Sequence, residues 1–277
     1  MGDLDELVAG WAPEPLEAAG RLDPWPVRAF AGLLDVPAPG PELPPLWHWF
    51  QLLEAPAQAE LGEDGHPADG RFLPPLPHRR RMIAGGRLEV RAPLRIGEHV
   101  VRRSELVSAV PKQGRSGAML LVTVRHTFRV VGAGPAVVEE QDVVYRSQEP
   151  GAARPLPPPE PADPGPGPWR LALRPDPALL FRFSALTYNT HRIHYDLPYV
   201  TGVEGYPGLV VHGPLLALLL LELPRRFAPD RPVRAFEYRL RRPVIAGAEV
   251  VAVGAPGELG AGEPGLAPAV TGSVRLA

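Results

Sequence analysis

The sequence predicts an α+β protein built from two tandem units, each a helix wrapped by an antiparallel sheet. Three observations predict it. A Pro- and Gly-rich run from Gln148 to Pro168, QEPGAARPLPPPEPADPGPGP, divides the 277 residues into halves that can each hold a core. The halves echo each other in sequence. In each, an apolar helical segment precedes several segments with period-two alternation. The organisation expected is therefore residues 1–148, a connector at 149–168, and residues 169–277.

The echo is specific in position. Residues 88–100 read LEVRAPLRIGEHV and residues 238–250 read YRLRRPVIAGAEV. At a constant offset of 150 residues, Arg91 matches Arg241, Pro93 matches Pro243, Gly97 matches Gly247 and Val100 matches Val250. Upstream, VRAFAGLLD (27–35) resembles FRFSALTYN (181–189), which sets Leu34 and Asp35 opposite Tyr188 and Asn189. Each precedes a proline-flanked apolar segment read as a helix, Leu46 to Leu53 and Pro214 to Leu223. Three matches in one order indicate duplication.

Each element has a local reason. Asp23 and Pro24 form an N-cap followed by a first helical residue, and Val27, Phe30 and Leu34 then share a face. Residues 214–223 are apolar on every side, as a helix enclosed by a sheet must be. Met119 to Val131, Val137 to Tyr145, Val233 to Leu240 and Glu249 to Val253 alternate as strands do. The Gln148–Pro168 run favours extended polyproline geometry and excludes helix or central strand.

Composition removes several function classes. A net charge of −2 supplies no field for nucleic acid or an anionic membrane. Lys112 is the only lysine, so arginine carries the rest of the positive charge. The absence of cysteine excludes disulfides and thiolate metal sites and suits a cytoplasmic setting. The start, Met1-Gly2-Asp3-Leu4-Asp5-Glu6, is acidic where a secretory leader needs basic residues. The greasiest run, Leu209 to Leu221, is too short to span a bilayer.

The residues that carry chemistry gather in the second half. His191 and His194 stand three apart, a metal-ligand spacing if helical, but no further ligand set accompanies them and no metal is expected. His212 and Gly213 precede the Pro214 helix, and His212 reads equally well as a packed core histidine. The Arg79-Arg80-Arg81 run reads first as a solvated face, a phosphate or carboxylate group would also suit it or the Arg241-Arg242 pair, and Trp47, Trp49 and Phe50 read as core.

The segments FSALTYNTHRIHYD (183–196) and GYPGLVVHGPLLALLLLEL (205–223) resemble MaoC-like (R)-specific enoyl-CoA hydratases. They are closer to the two-hotdog relatives of those enzymes, the mesaconyl-C4-CoA and itaconyl-CoA hydratase group and the mitochondrial type 2 3-hydroxyacyl-thioester dehydratases. In the first half, LPPLWHWF (43–50), GHPADGRFLPPLPHRRRMIAGG (65–86) and GRSGAMLLVTVRHTF (114–128) resemble the dehydratase-like N-terminal hotdog of that group. The resemblance implies a double hotdog fold and a lyase that adds or removes water at the C2–C3 bond of an acyl thioester. It implies an acyl-CoA or acyl-carrier-protein substrate and no cofactor. A duplicated chain is compatible with a pseudo-dimeric monomer or with a homodimer.

The resemblance also assigns roles. The hydratase motif Asp-x-Asn-Pro-x-His, laid on this sequence, places Asp on Asn189, Asn on His191, Pro on Arg192 and His on His194. The family histidine is retained and the aspartate is an amide. His194 is then the general base for the water, suited by an ordinary pKa of roughly 6.5. Gly213 lets a thioester carbonyl approach the helix N-terminus, where charge on its oxygen is stabilised. Asn189 orients water or substrate, and Asp196 or His191 is left to supply the missing charge. The first half lacks a counterpart to the His191 and His194 pair at the equivalent positions and is expected to shape the acyl pocket. A thioesterase, with Glu204 as its carboxylate, and a non-catalytic acyl-thioester binder are the competing readings.

Overall fold

The computed structural model describes residues 4–76, 79–114, 117–147, 159–162 and 167–277. The elements of the first half are α1 (Leu4–Val8), β1 (Leu16–Arg21), α2 (Pro24–Leu33), β2 (Arg79–Val90), β3 (His99–Gly114), β4 (Gly117–Val130) and β5 (Pro135–Ser147). Those of the second are β6 (Trp169–Leu173), α3 (Pro177–Thr187), α4 (Leu197–Gly202), α5 (Gly213–Phe227), β7 (Val233–Leu240), β8 (Val250–Gly254), β9 (Gly257–Gly262) and β10 (Val270–Leu276). Most of the expected connector, 148–158 and 163–166, lies outside the described residues. Its described part runs extended beside the β9–β10 loop, with Ala162 N–H donating to the Gly265 carbonyl at 3.1 Å.

All ten strands form one antiparallel sheet in the order β1-β3-β4-β5-β2-β7-β10-β9-β8-β6. The order is a mirror: reading outward from the centre, 2-5-4-3-1 on one side corresponds to 7-10-9-8-6 on the other. The two sides join where Gly85–Glu89 of β2 pairs with Ala235–Arg239 of β7. Arg87 and Glu237, equivalent in the repeat, face each other there, as a local two-fold axis requires. Gly86 is confined from both sides of β2, because a Cβ would stand 2.8 Å from the Glu140 carbonyl oxygen on β5 and 2.9 Å from the Tyr238 ring on β7.

The repeat extends to individual backbone bonds. Leu43 N–H donates to Leu94 O as Val211 N–H does to Val244 O, and Gly97 N–H bonds Leu22 O as Gly247 N–H bonds Pro175 O. Both glycines have positive φ, 88° and 92°. Helices α2 and α3 start alike, with Asp23 accepting from Trp25 N–H and Asp176 from Leu179 N–H, both at 2.7 Å, and proline next. They also end alike, at left-handed Asp35 (φ 53°) and Tyr188 (φ 50°). Val36 N–H then bonds Ala31 O, and Asn189 N–H bonds Ser184 O. This corrects the sequence alignment by one residue, so the counterpart of Asn189 is Val36 rather than Asp35.

The core explains both the helix that forms and the one that does not. In α5 every residue from Leu215 to Pro224 is buried, against strands β6 to β10. The expected counterpart helix from Leu46 to Leu53 is a single 3-10 turn, Trp47–Phe50. Pro44 and Pro45 precede it, Leu46 is left-handed (φ 68°), and Gln51 is held extended by exchanging two hydrogen bonds with the Asp23 backbone. With so many positions fixed, a helix cannot propagate. Its volume is filled by Phe30, Trp47, Phe50 and Phe183, whose ring centroids lie 4.6 to 6.5 Å apart. The arginine runs are not simply solvated: Arg80 pairs with Glu204, and Arg242 with Glu263 at 2.7 Å. Among the described residues no helix is long and apolar enough to cross a membrane.

Candidate active site

Four histidines pack in a row where the loop after α3 meets the start of α5. Their centroids are 4.1 Å apart for His66 and His191, 5.5 Å for His191 and His194, and 3.6 Å for His194 and His212. The last pair is stacked, with ring planes 19° apart. His212 is the N-cap residue of α5, so His194 lies against the entrance to that helix.

The segment from Asn189 to Asp196 is shaped by its own side chains. Asn189 Oδ1 accepts from His191 N–H at 2.9 Å, an Asx-type turn that starts the loop. Residues Arg192–His194 follow as a 3-10 turn. Asp196 accepts from Tyr199 N–H at 3.0 Å as the N-cap of α4, and pairs with Arg192 at 2.8 Å. Asp196 is thereby committed away from the histidines and does not supply the charge missing at Asn189.

Tautomers follow from the partners. His194 is buried, and its Nδ1 lies 2.7 Å from the Val210 carbonyl oxygen, which can only accept. Nδ1 therefore carries the proton, and Nε2 presents a lone pair. Burial, only partly opposed by that hydrogen bond, lowers the His194 pKa to about 4, so the ring is neutral near pH 7. His212 Nε2 is bonded to Ser184 Oγ at 2.9 Å, and burial holds its pKa well below the ordinary value. Burial likewise depresses His191, reinforced by its histidine neighbours.

Gly213 opens α5 beside this row. The N–H groups of Gly213 and Leu215 lie in the first helical turn, where no intrahelical acceptor exists, and Pro214 between them has none. A Cβ on Gly213 would stand 2.4 Å from Leu240 Cδ1, so a side chain there would have to displace the end of Leu240.

The first half contributes a residue pair not anticipated as part of the site. A loop from β-bridge residue Leu61 to Pro67 places Asp64 and His66 against the second half. Asp64 Oδ1 accepts from His66 N–H and Oδ2 from His66 Nδ1, both at 2.9 Å. The loop is stitched on: Arg192 N–H donates to Asp64 O at 2.9 Å, Arg192 Nη1 to Glu63 O at 3.0 Å, and Thr190 Oγ1 to Gly65 O. Gly65 has φ 87°, and a Cβ there would fall on the Thr190 carbonyl. The only sequence signal was the GHPADG string, whose chemistry is invisible until the loop is docked. Donor atoms of Asp64, His66 and His191 lie within 4.8 Å of one another. Both oxygens of Asp64 accept from His66, so the carboxylate orients that imidazole and fixes which ring nitrogen faces away from it.

The repeat equivalents in the first half carry none of this. Val36 stands for Asn189, and the shared Leu94 and Val244 hydrogen bonds set Pro44 and Pro45 opposite His212 and Gly213. The buried polar pair there is His48 with Glu139, 2.6 Å apart, which Trp49 Nε1 and Gln141 Nε2 also bond.

Comparison with known proteins agrees with this architecture. Residues 46–246 match the family described as hydroxyacyl-thioester dehydratase type 2. The chain is 47% identical over 221 residues, 78% of each chain, to mesaconyl-C(4)-CoA hydratase of Chloroflexus aurantiacus. In fold it is similar to HtdX of Mycobacterium tuberculosis, at a TM-score of 0.64 and 17% identity over 95% of this chain and 100% of that one. It is also similar to a second M. tuberculosis protein with a double hotdog fold, at a TM-score of 0.56 and 16% identity over 96% of both chains. By sequence match and by fold, this chain is a double hotdog protein that belongs to the hydroxyacyl-thioester dehydratase type 2 family.

Proposed function

We propose that the protein is a hydro-lyase that adds water to, or removes it from, the C2–C3 bond of an acyl-CoA thioester, with His194 and Gly213 at its centre. The observation that carries this is the buried His194 with its Nε2 lone pair, fixed by the Val210 carbonyl beside the N-terminus of α5. Hydration moves electron density from the C2–C3 bond onto the thioester oxygen. The Gly213 N–H and the helix dipole stabilise that charge. His194 Nε2 accepts a proton of the attacking water and returns it to C2, and the reverse sequence dehydrates a 3-hydroxyacyl thioester.

The similarity to mesaconyl-C(4)-CoA hydratase makes a short, branched enoyl-CoA of that kind the first substrate to try. The first half, with Val36, Pro44 and Pro45 at the equivalent positions, serves as a wall of the acyl pocket without a site of its own. A thioesterase reading loses support, because Glu204 is committed to Arg80.

The test is incubation of the purified protein with a panel of enoyl-CoA and 3-hydroxyacyl-CoA esters, following enoyl absorbance and free thiol. Water addition without thiol release is expected. His194→Ala should cost at least about 10²-fold in kcat, the range for removing a general acid–base. Thiol release by the wild type, or full hydration by the variant, would overturn the assignment.

A further inference from the structure

We propose that Asp64 and His66, supplied by the first half, replace the carboxylate missing at Asn189, with His66 Nε2 the second acceptor that holds the reacting water. This deepens the hydro-lyase reading above and rests on it.

A water aimed at C3 has two O–H bonds, and a positioned nucleophile needs an acceptor for each. His194 Nε2 is one. Asn189 is a neutral amide, and one lone pair of its Oδ1 already accepts from His191 N–H, so it does not restore the missing carboxylate. His212 Nε2 is paired with Ser184 Oγ, and its buried Nδ1 has no hydrogen-bond partner among the described residues, so no carboxylate orients this ring.

His66 fits the vacancy by three independent observations. It is buried, 8% exposed, in the same row of rings as His191 and His194. Its Nδ1 faces the Asp64 carboxylate at 2.9 Å, so Nδ1 carries the proton and Nε2 is left as an acceptor, as in His194. Its loop is fastened to the Asn189–Asp196 segment by the Thr190 and Arg192 bonds, which hold the pair in register with the catalytic histidine. Burial and the nearby Arg81 charge, opposed by Asp64, lower His66 to about 4, so the ring is a neutral acceptor near pH 7.

The step balances without any further reactant. His194 Nε2 takes one proton of the water as its oxygen bonds to C3 and the C2–C3 π pair moves onto C2 and the thioester oxygen. The imidazolium at 194 then gives that same proton to C2. The second hydrogen of the water stays on oxygen, becomes the product hydroxyl, and donates to His66 Nε2 throughout. His66 is a catalytic residue in this scheme, and Asp64 is a positioning residue that fixes its tautomer.

The experiment measures kcat and KM of the full chain and of His66→Leu, His66→Gln, Asp64→Asn and the Asp64→Asn/His66→Leu double variant on the best enoyl-CoA, with a melting curve for each. His66→Leu should lower kcat about 100-fold with KM near wild type, the scale on which misplacing a reacting group acts. His66→Gln, whose Oε1 can accept, should recover part of that loss. Asp64→Asn keeps the shape but offers N–H₂ to His66 Nδ1, which reverses the tautomer and should cost kcat about as much as His66→Leu, since deletions within one catalytic unit do not add. The double variant should be no worse than either. If His66→Leu fails to fold, the near-isosteric Asp64→Asn carries the test alone. A kcat within about threefold of wild type in folded His66→Leu or Asp64→Asn overturns the inference while leaving the hydro-lyase reading intact, because losing the group that positions the water should cost about 10²-fold. A wild type that adds no water overturns both.

Discussion

At the scale of single residues, this site is governed by which nitrogen of each histidine carries a proton. Burial depresses His66, His126 and His194 to about 4, and the acceptors at Nδ1 of His66 and His194 leave both Nε2 atoms free. That has a consequence for stability. These groups titrate near 6.5 when unfolded and near 4 when folded, so between those values the unfolded chain binds more protons. Stability should therefore fall as pH drops from about 6.5 toward 4, by up to about 1.4 kcal/mol per pH unit for each such histidine. The lowered carboxylates Asp64 and Glu139 act in the same direction at the acid end. Urea denaturation at pH 7, 6 and 5 measures this, and an unchanged midpoint across that range would contradict the buried, neutral histidines.

At the scale of elements, α5 does two things at once. Its first turn presents Gly213, and its remaining length forms the enclosed core of the second half, with Leu215, Leu218 and Leu220 fully buried. Leu218→Ala should destabilise the protein by about 2–5 kcal/mol, the usual cost of a large-to-small change in a well-packed core. Equilibrium unfolding reads that cost, while kcat of the folded fraction should stay near wild type because the helix start is untouched. The absence of a matching helix at Trp47–Phe50 is an element-scale effect too. The segment has the apolar content of a helix, but flanking prolines, a left-handed Leu46 and the Gln51–Asp23 bonds leave room for one turn only.

At the scale of the whole molecule, the halves are not separable modules. They share one ten-stranded sheet through the β2–β7 seam, and the loop carrying Asp64 and His66 crosses from the first half to the site in the second. Residues 159–277 expressed alone would lack that pair and expose β7 as an edge strand. Such a fragment should self-associate on size-exclusion chromatography and show hydration no greater than the His194→Ala variant. A monomeric, active fragment would mean that the first half contributes only bulk.

The sequence by itself determined the repeat, because Arg-x-Pro and the following glycine mark a turn whose hydrogen bonds are local and recur after 150 residues. It also determined the enclosed helix, since a segment apolar on every side has nowhere to go but a core, and the Asp23-Pro24 helix start is written in adjacent residues. The residues His191, His194, His212 and Gly213 were legible as a group because they lie within 23 positions of chain. Only the tertiary structure decided what each of them is bonded to. It spent Asn189 on a turn and Asp196 on Arg192 and a helix cap, and it brought Asp64 and His66 across more than a hundred residues to stand beside His191. Periodicity and caps act between near neighbours, whereas a tautomer or a missing carboxylate is settled by partners that only the folded sheet brings together.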